Sequence, residues 1–344
     1  MAGMSKSVTL AQVAAVAGVS VMTVSNVVND KPGASEATRR RVKKVMRTLG
    51  YTPNLAARSL KGSRTGAIGV VMMLDLANDY AMEILRGVAD EIAEHEEDLL
   101  ISVAHPRPGR DFEGTDVLSQ GLVDGLILVA PRLGPLTLQH LAARKAPFLI
   151  LDPQELDVAA PRVVADNYSG ARAGTEHLIG LGHTDIACIT GEVEFDSSAE
   201  RRRGFTEAMT LAGLRVQEEW IRDCDFSISA GAAVTRSLLT AGSRRPTAIF
   251  AAADSIASGA LQAAQEQGLR VPEDISIVGF DDLPLAARTD PPLTTVRQPL
   301  QEMGRLALQR IIAAVNGPAL AAEAIVVPAR LVLRASTAAP ASAR

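Results

Sequence analysis

The sequence predicts an α/β protein: a small all-α head at the N-terminus, a short joint, and a large two-lobed body of doubly wound parallel sheets. Three observations predict it. Residues 8–29 read as two short helical patterns joined by a tight turn. From residue 67 onward, short apolar runs alternate with helical stretches. Charge divides the chain at the same place: residues 1–64 carry 11 Lys/Arg against 2 Asp/Glu, and the remainder carries 24 against 37. A length of 344 residues suits two or three domains. The domains are expected at 1–52, 53–65 and 66–344.

The head is taken first. Thr9 can N-cap a helix, and Gln12 three residues on completes a capping box. Leu10, Val13, Ala14 and Ala17 then share one helical face. Gly18 ends the helix where a positive φ is easiest to adopt. Ser20 caps a second helix whose Val24, Val27 and Val28 face inward. A helix–turn–helix with Gly in the turn is the expected unit, and its second helix would enter a DNA major groove. An ordinary αα-hairpin would show the same two helices. The basic charge of the segment favours a polyanion partner, and the acidic body would leave DNA contact to the head.

Within the second helix, Ser20, Val21, Met22, Ser25 and Asn26 point away from the Val face. Val21 and Met22 stand at its N-terminal end, where side chains reach base edges and apolar tips meet thymine methyls. The bland alternative is that both are merely surface apolar residues. Asn26 could pair with adenine, and Thr23 and Ser25 suit phosphate oxygens. Asn29 to Gly33 is a loop by composition, and Ser35 caps a third helix, about 36–49, closed by Gly50. Val42, Val45, Met46 and Leu49 form its apolar face; Arg39, Arg40, Arg41, Lys43, Lys44 and Arg47 decorate the rest. A charge run on a helix is usually a solvated face, but six cations with no acid from residue 37 onward are placed for phosphate contact.

The joint follows. Residues 54–60 can form one or two helical turns, too short to be stable alone, which would order on docking to DNA beside a twin. Leu60 is then an apolar tip suited to wedging between base steps in the minor groove. At this point the VTLxxVAxxAGVSxxTVSxVVN head and the YTPNxxARSL joint resemble the lactose/galactose-repressor family of bacterial transcription regulators, over essentially the whole chain. The resemblance implies a DNA-facing set of Thr9, Ser20, Val21, Met22, Thr23, Ser25, Asn26, Asn29, Asn54, Ala57, Leu60 and Lys61.

In the body, Ala67–Leu74, Leu99–Ala104, Gly125–Ala130 and Phe148–Leu151 read as buried strands with helical stretches between them. Val163–Ala165, Ile186–Thr190, Ala248–Ala251 and Ser276–Phe280 repeat the pattern, with helices around 168–181, 198–212, 229–240 and 254–267. Such alternation implies parallel sheets covered on both faces, with a ligand cleft between two lobes. The family resemblance implies the same periplasmic-binding-protein-like architecture, with crossings near 165, 293 and 325. The first lobe would then hold about 66–164 and 294–324, and the second about 165–293 and 325–344.

No phosphate-binding Gly-rich loop, zinc-spaced Cys/His set or catalytic motif occurs, so neither enzymatic activity nor a cofactor is expected. Cys188 and Cys224 read as buried free thiols. His177 and His183 flank a helix end, and their spacing of six suits capping or packing rather than a metal. Asp281 and Asp282 are adjacent on an extended segment, point apart, and make a poor acid/base dyad; one carboxylate there reads as a hydroxyl acceptor, or as a loop or helix-capping Asp.

By resemblance, Arg201 in RRRGF, Phe226 in DFS and Asp281 in GFDD form an effector site, with Asp79, Tyr80, Asp152, Asp254 and Gln298 as further members. An Arg, an Asp and an aromatic face suit a polyhydroxylated ligand such as a sugar. The chain departs from sugar-binding members at Ala253, where Asn is common, and at Asn78-Asp79-Tyr80-Ala81, which lacks an aromatic pair and adds a charge. The reading is a cytoplasmic, homodimeric transcription regulator, a repressor, on a pseudo-palindromic operator under effector control. The Ala/Ser/Pro-rich C-terminus has no heptad repeat, which predicts a dimer rather than a tetramer. A two-lobed solute-binding sensor is the alternative, but it has no use for the basic head.

Overall fold

The computed structural model describes residues 8–28, 32–51, 64–72, 79–104, 121–131, 135–143, 146–154, 159–193, 195–241 and 244–341. Asn29, Asn54, Ala57, Leu60 and Lys61 lie outside the described residues. Contacts divide the chain into a head before Gly66 and a body after it.

The head consists of α1 (Leu10–Ala17), α2 (Val21–Val28) and α3 (Glu36–Leu49). Thr9 and Gln12 form the expected capping box, with Thr9 N donating to Gln12 Oε1 at 2.8 Å. Gly18 adopts φ 63°, and α2 leaves the turn at 107° to α1. That is the angle of a helix–turn–helix. Ser20 Oγ accepts from Thr23 N at 3.0 Å, capping α2. Val13, Ala14, Ala17, Val24, Val27 and Val42 make one small core across the three helices, with Leu10, Val28, Val45, Met46 and Leu49 packed around it.

The body holds two six-stranded sheets. The first has the order β11-β5-β4-β3-β1-β2, formed by β1 (Ala67–Met72), β2 (Asp98–Val103), β3 (Gly125–Val129), β4 (Phe148–Leu151), β5 (Arg162–Ala165) and β11 (Ala324–Val327). All of its pairings are parallel. The second has the order β12-β10-β9-β8-β6-β7, formed by β6 (Ile186–Thr190), β7 (Ile221–Asp223), β8 (Ala248–Ala251), β9 (Ser276–Asp281), β10 (Thr294–Arg297) and β12 (Arg330–Val332). Here the expectation of purely parallel sheets needs correcting, because β12 runs antiparallel to β10.

Helices cover the sheets in pairs. On the first, α4 (Asp79–Ile92) packs with α10 (Leu300–Asn316), placing Ile84, Val88, Met303, Leu308 and Ile311 against β1, β3 and β4. On the second, α6 (Asn167–Gly180) and α7 (Asp196–Leu211) cover one face and α8 (Ile228–Thr240) and α9 (Asp254–Glu266) the other. The period-2 alternation of strands is visible there: Cys188, Phe250 and Val278 point to one core, and Ile189, Ile249 and Ile277 to the other. Each such side chain contributes about 1.5–3 kcal/mol by burial. A shorter helix, α5 (Pro135–Ala142), lies between β3 and β4 in sequence.

Three expectations shift. The β2 strand is an edge strand, half-exposed rather than buried, with Leu100 and Ile101 open to solvent. Because β10 pairs with β9 and β11 with β5, the chain crosses between lobes near 298 and 328, not 293 and 325. Both strands are four residues long and carry too little pattern to be assigned to a sheet by sequence. Both cysteines are free; Cys188 is buried, whereas Cys224 is only half-buried, with burial pushing its thiol up to about 11.

Candidate functional sites: a basic three-helix head and an interlobe cleft

On the head, Ser20, Val21 and Met22 are exposed at the N-terminal end of α2, with Met22 70% open. Thr23, Ser25 and Asn26 follow on the same helix, half-buried. The hydroxyls of Thr9 and Ser20 accept helix-capping bonds. On α3, Arg40, Arg41, Lys43, Lys44 and Arg47 are exposed and Arg39 is half-buried. The sequence therefore produces a rigid apolar-cored unit with one helix end and one cationic helix turned outward.

In the body, a cavity of about 300 Å³ opens between the lobes. It lies outside the carboxyl ends of the strands, where doubly wound folds place their ligands. From the first lobe come Ala130 after β3, Asp152 after β4, and Asp79 and Tyr80 in the first turn of α4. From the second come Ser197 and Arg201 on α7, Phe195 before it, Phe226, Ala253, Ser255 on α9, and Asp281, Leu283 and Leu285.

Arg201 is 3% exposed. Its Nε donates to Asn167 Oδ1 at 2.9 Å and its Nη1 to the Ala252 carbonyl at 2.5 Å. The guanidinium carbon stands 3.9 Å from the centre of the Phe280 ring, and Nη1 lies 3.6 Å from Asp281 Oδ1. Gln298 Nε2 donates to the same carboxylate at 2.6 Å. Burial pushes Asp281 up to about 6, against the pull of Arg201 and Gln298. Across the cavity, the Tyr80 hydroxyl donates to Asp152 Oδ2 at 2.6 Å. Burial raises Asp152 too, while Tyr80 and Arg201 favour its ionised form. Phe195 and Phe226 meet edge to face, with centroids 5.4 Å apart.

Three lining residues carry a positive φ without being glycine: Ala130 at 47°, Asp152 at 52° and Asp281 at 109°. Backbone of this kind costs on the order of 1–3 kcal/mol per residue and collects at ligand sites. Here it turns the chain at three strand ends so that the side chains face the cleft.

Of the eight expected effector residues, Asp79, Tyr80, Asp152, Arg201, Phe226 and Asp281 line the cavity. Asp254 does not. It is fully buried, with Oδ2 accepting from Leu283 N at 2.7 Å and Oδ1 from Thr295 Oγ1 at 2.6 Å. It braces the loop that carries Leu283 and Leu285. Gln298 also stands behind the wall, orienting Asp281. Asp282 points the other way, held by Arg297 Nε at 2.6 Å and Arg334 Nη2 at 2.5 Å; the two carboxylates diverge as expected, but on backbone with positive φ at both residues rather than on extended chain. Asn167, Phe195, Ser197 and Ser255 were not expected. Ser197 lies four residues before Arg201 on one helix, so its spacing alone could have found it. Asn167 looks in sequence like an ordinary helix-start residue.

His177 and His183 pack against the C-terminal tail rather than capping a helix. His177 Nε2 lies 3.0 Å from Thr337 Oγ1, and His183 Nε2 lies 2.9 Å from the Ala338 carbonyl. Among the described residues, no group of three His, Cys, Asp or Glu side chains could hold a metal ion. No single described helix is long and apolar enough to cross a membrane.

A basic helix–turn–helix head, in one chain with two α/β lobes around a lined cavity, defines a class: a DNA-binding transcriptional regulator with an effector-binding body. Comparison with known proteins places the chain within that class. Residues 9–54 match the profile of the bacterial regulatory proteins, lacI family, and residues 175–337 match a periplasmic binding protein-like domain. The HTH-type transcriptional regulator DegA of Bacillus subtilis is 36% identical over 96% of this chain and 98% of its own length. The HTH-type transcriptional repressor CytR of Escherichia coli is 33% identical over 96% of each. A lac repressor dimer, solved bound to operator and the anti-inducer ONPF, is 31% identical with a TM-score of 0.84, covering 97% of this chain and 100% of its own. The chain belongs to the lacI family.

Proposed function

We propose that the protein is a homodimeric repressor in the cytoplasm, where the chromosome is, and that a small polyhydroxylated effector in the interlobe cleft sets its operator affinity. Two heads would grip the half-sites of a pseudo-palindromic operator, with Val21, Met22 and Asn26 toward base edges and the α3 cations toward phosphates. By sequence, Asn54, Ala57, Leu60 and Lys61 would meet the centre of the site, Leu60 wedging a base step. The effector would be held from both lobes at once, and its binding and DNA binding would be coupled by about 1–3 kcal/mol in either direction. The observation that carries this reading is the cavity wall: Asp152 from one lobe and Arg201 with Asp281 from the other converge on one space. Two relatives support it, the lac repressor dimer solved on its operator and the transcriptional regulator CelR solved with cellobiose, 30% identical with a TM-score of 0.72.

The cleft acts by binding alone, without turnover. The test is selection of genomic fragments on the purified protein, followed by titration of sugars on the enriched site. Enrichment of one palindromic motif, released or tightened by a sugar that is recovered unchanged, is the expected result. Absence of any enriched motif at low salt, or conversion of the sugar, would refute the proposal.

A further inference from the structure

The charge of the cleft is more specific than its shape. Asp79, Asp152 and Asp281 line the cavity, and Asp254 is buried behind Asp281. Among the described lining residues the only cation is Arg201, and its Nε and Nη1 are already committed to Asn167 and Ala252. The lining carboxylates thus outnumber the guanidinium three to one, with Asp79 and Asp152 on the first lobe facing Arg201 and Asp281 on the second. The Tyr80, Phe195 and Phe226 rings complete the wall, and aromatic faces attract cations. We infer that the cleft selects a small polyol bearing a protonated amine, and rejects anions of the same size. The inference rests on the effector reading above. An ammonium group supplies donors and charge to the lining carboxylates, whereas a phosphate or carboxylate would meet an acidic wall with one arginine whose Nε and Nη1 are already bonded. A neutral polyol would satisfy the acceptors but leave the excess charge uncompensated. Burial raises Asp152 and Asp281, and a cation placed beside them would favour their ionised forms.

Calorimetry on the full-length protein tests this with two series at matched ionic strength near neutral pH. The first is glucosamine, glucose and glucose 6-phosphate; the second is putrescine, 1,4-butanediol and succinate. The expected result is glucosamine binding about tenfold or more tighter than glucose, with no heat from glucose 6-phosphate at concentrations on the order of 10 mM. Asp79 is exposed, so Asp79→Asn keeps the fold, and it should cut the preference for glucosamine over glucose about threefold. Glucose binding as tightly as glucosamine, or glucose 6-phosphate binding more tightly than either, would overturn the inference and leave the sugar reading standing. Putrescine binding with no sugar binding would support the charge selection and overturn the sugar reading. Failure of both amines to bind overturns the inference.

Discussion

On the second-lobe wall of the cleft, Arg201 and Asp281 are fixed by Asn167, the Ala252 carbonyl, the Phe280 ring and Gln298. On the first-lobe wall, Asp152 answers to the Tyr80 hydroxyl, and Asp79 beside it is exposed. The second wall is preorganised: its charged groups are oriented before any ligand arrives, and little ordering entropy remains to be lost on binding. On the first wall, among the described residues, Asp79 is exposed while Tyr80 and Asp152 hold each other. The difference teaches where affinity and where selectivity reside. On the proposed reading, affinity would come from the meshed wall, and Asp79 on the first wall would tune which ligand is accepted.

The strongest way to break this contrast is Arg201→Ala. It leaves Asp281 buried without its cation, a loss of about 3–5 kcal/mol in stability, and ligand binding in calorimetry should disappear while the folded fraction still binds operator DNA. Retained ligand affinity would mean that the second wall is not the anchor. Next comes the brace. Asp254→Ala strands the Leu283 amide and the Thr295 hydroxyl, and thermal unfolding should report a loss of about 1–3 kcal/mol for each buried group left unpaired. Asp254→Asn, which can still accept from Leu283 and donate to Thr295, should cost well below that.

A smaller effect is expected on the first wall. Tyr80→Phe removes the donor to Asp152, and effector affinity should drop by about 0.5–1.5 kcal/mol with little change in melting temperature. A loss as large as that of Arg201→Ala would erase the contrast between the walls.

The gentlest probe is pH. Asp281 is a carboxylate at neutral pH and takes up a proton as pH falls through about 6. Affinity for any ligand bonded to the ionised form should therefore fall by up to about tenfold per pH unit below 6, and Asp281→Asn should flatten that profile. Stability moves oppositely. Because the folded-state value lies above the ordinary 3.8, the contribution of Asp281 to stability is fully present below 3.8 and is lost as pH rises through about 6. Thermal unfolding of the empty protein against Asp281→Asn reads this directly.

The same contrast governs what could be read from sequence. The head was legible because its signals are local: a capping box, a glycine in the left-handed region and a period of 3.6 act within a few residues. The strands β3 to β6, β8 and β9 were legible for the same reason, being short apolar runs, whereas β7, Ile-Arg-Asp, was not read. The second wall was read through Arg201, Phe226 and Asp281, each carried by the resemblance of a short motif: Arg201 within α7, Phe226 and Asp281 at element ends. Asp254 was misplaced because its direction depends on Thr295 and the Leu283 amide, 41 and 29 residues away. Gln298 was misplaced because it touches the cavity only through Asp281. The β11 strand and the α10 helix went unassigned because their lobe is decided by partners more than a hundred residues away, as between β11 and β5, and β10 and β12 because three or four residues carry too little pattern.

The crossings near 166, 298 and 328 have a consequence for synthesis. The first sheet lacks its edge strand β11 and its covering helix α10 until residue 327 has been made. The second lacks β12 and the tail residues Ser336–Ala338 that bond to Thr294, Ser276 and His183 until residue 338. Domains fold from the N-terminus as they emerge from the ribosome. The head, with a core drawn only from residues before 52, can close early, while both lobes wait together for the last few dozen residues. A chain that stops short of α10 therefore carries a complete head and two unfinished lobes.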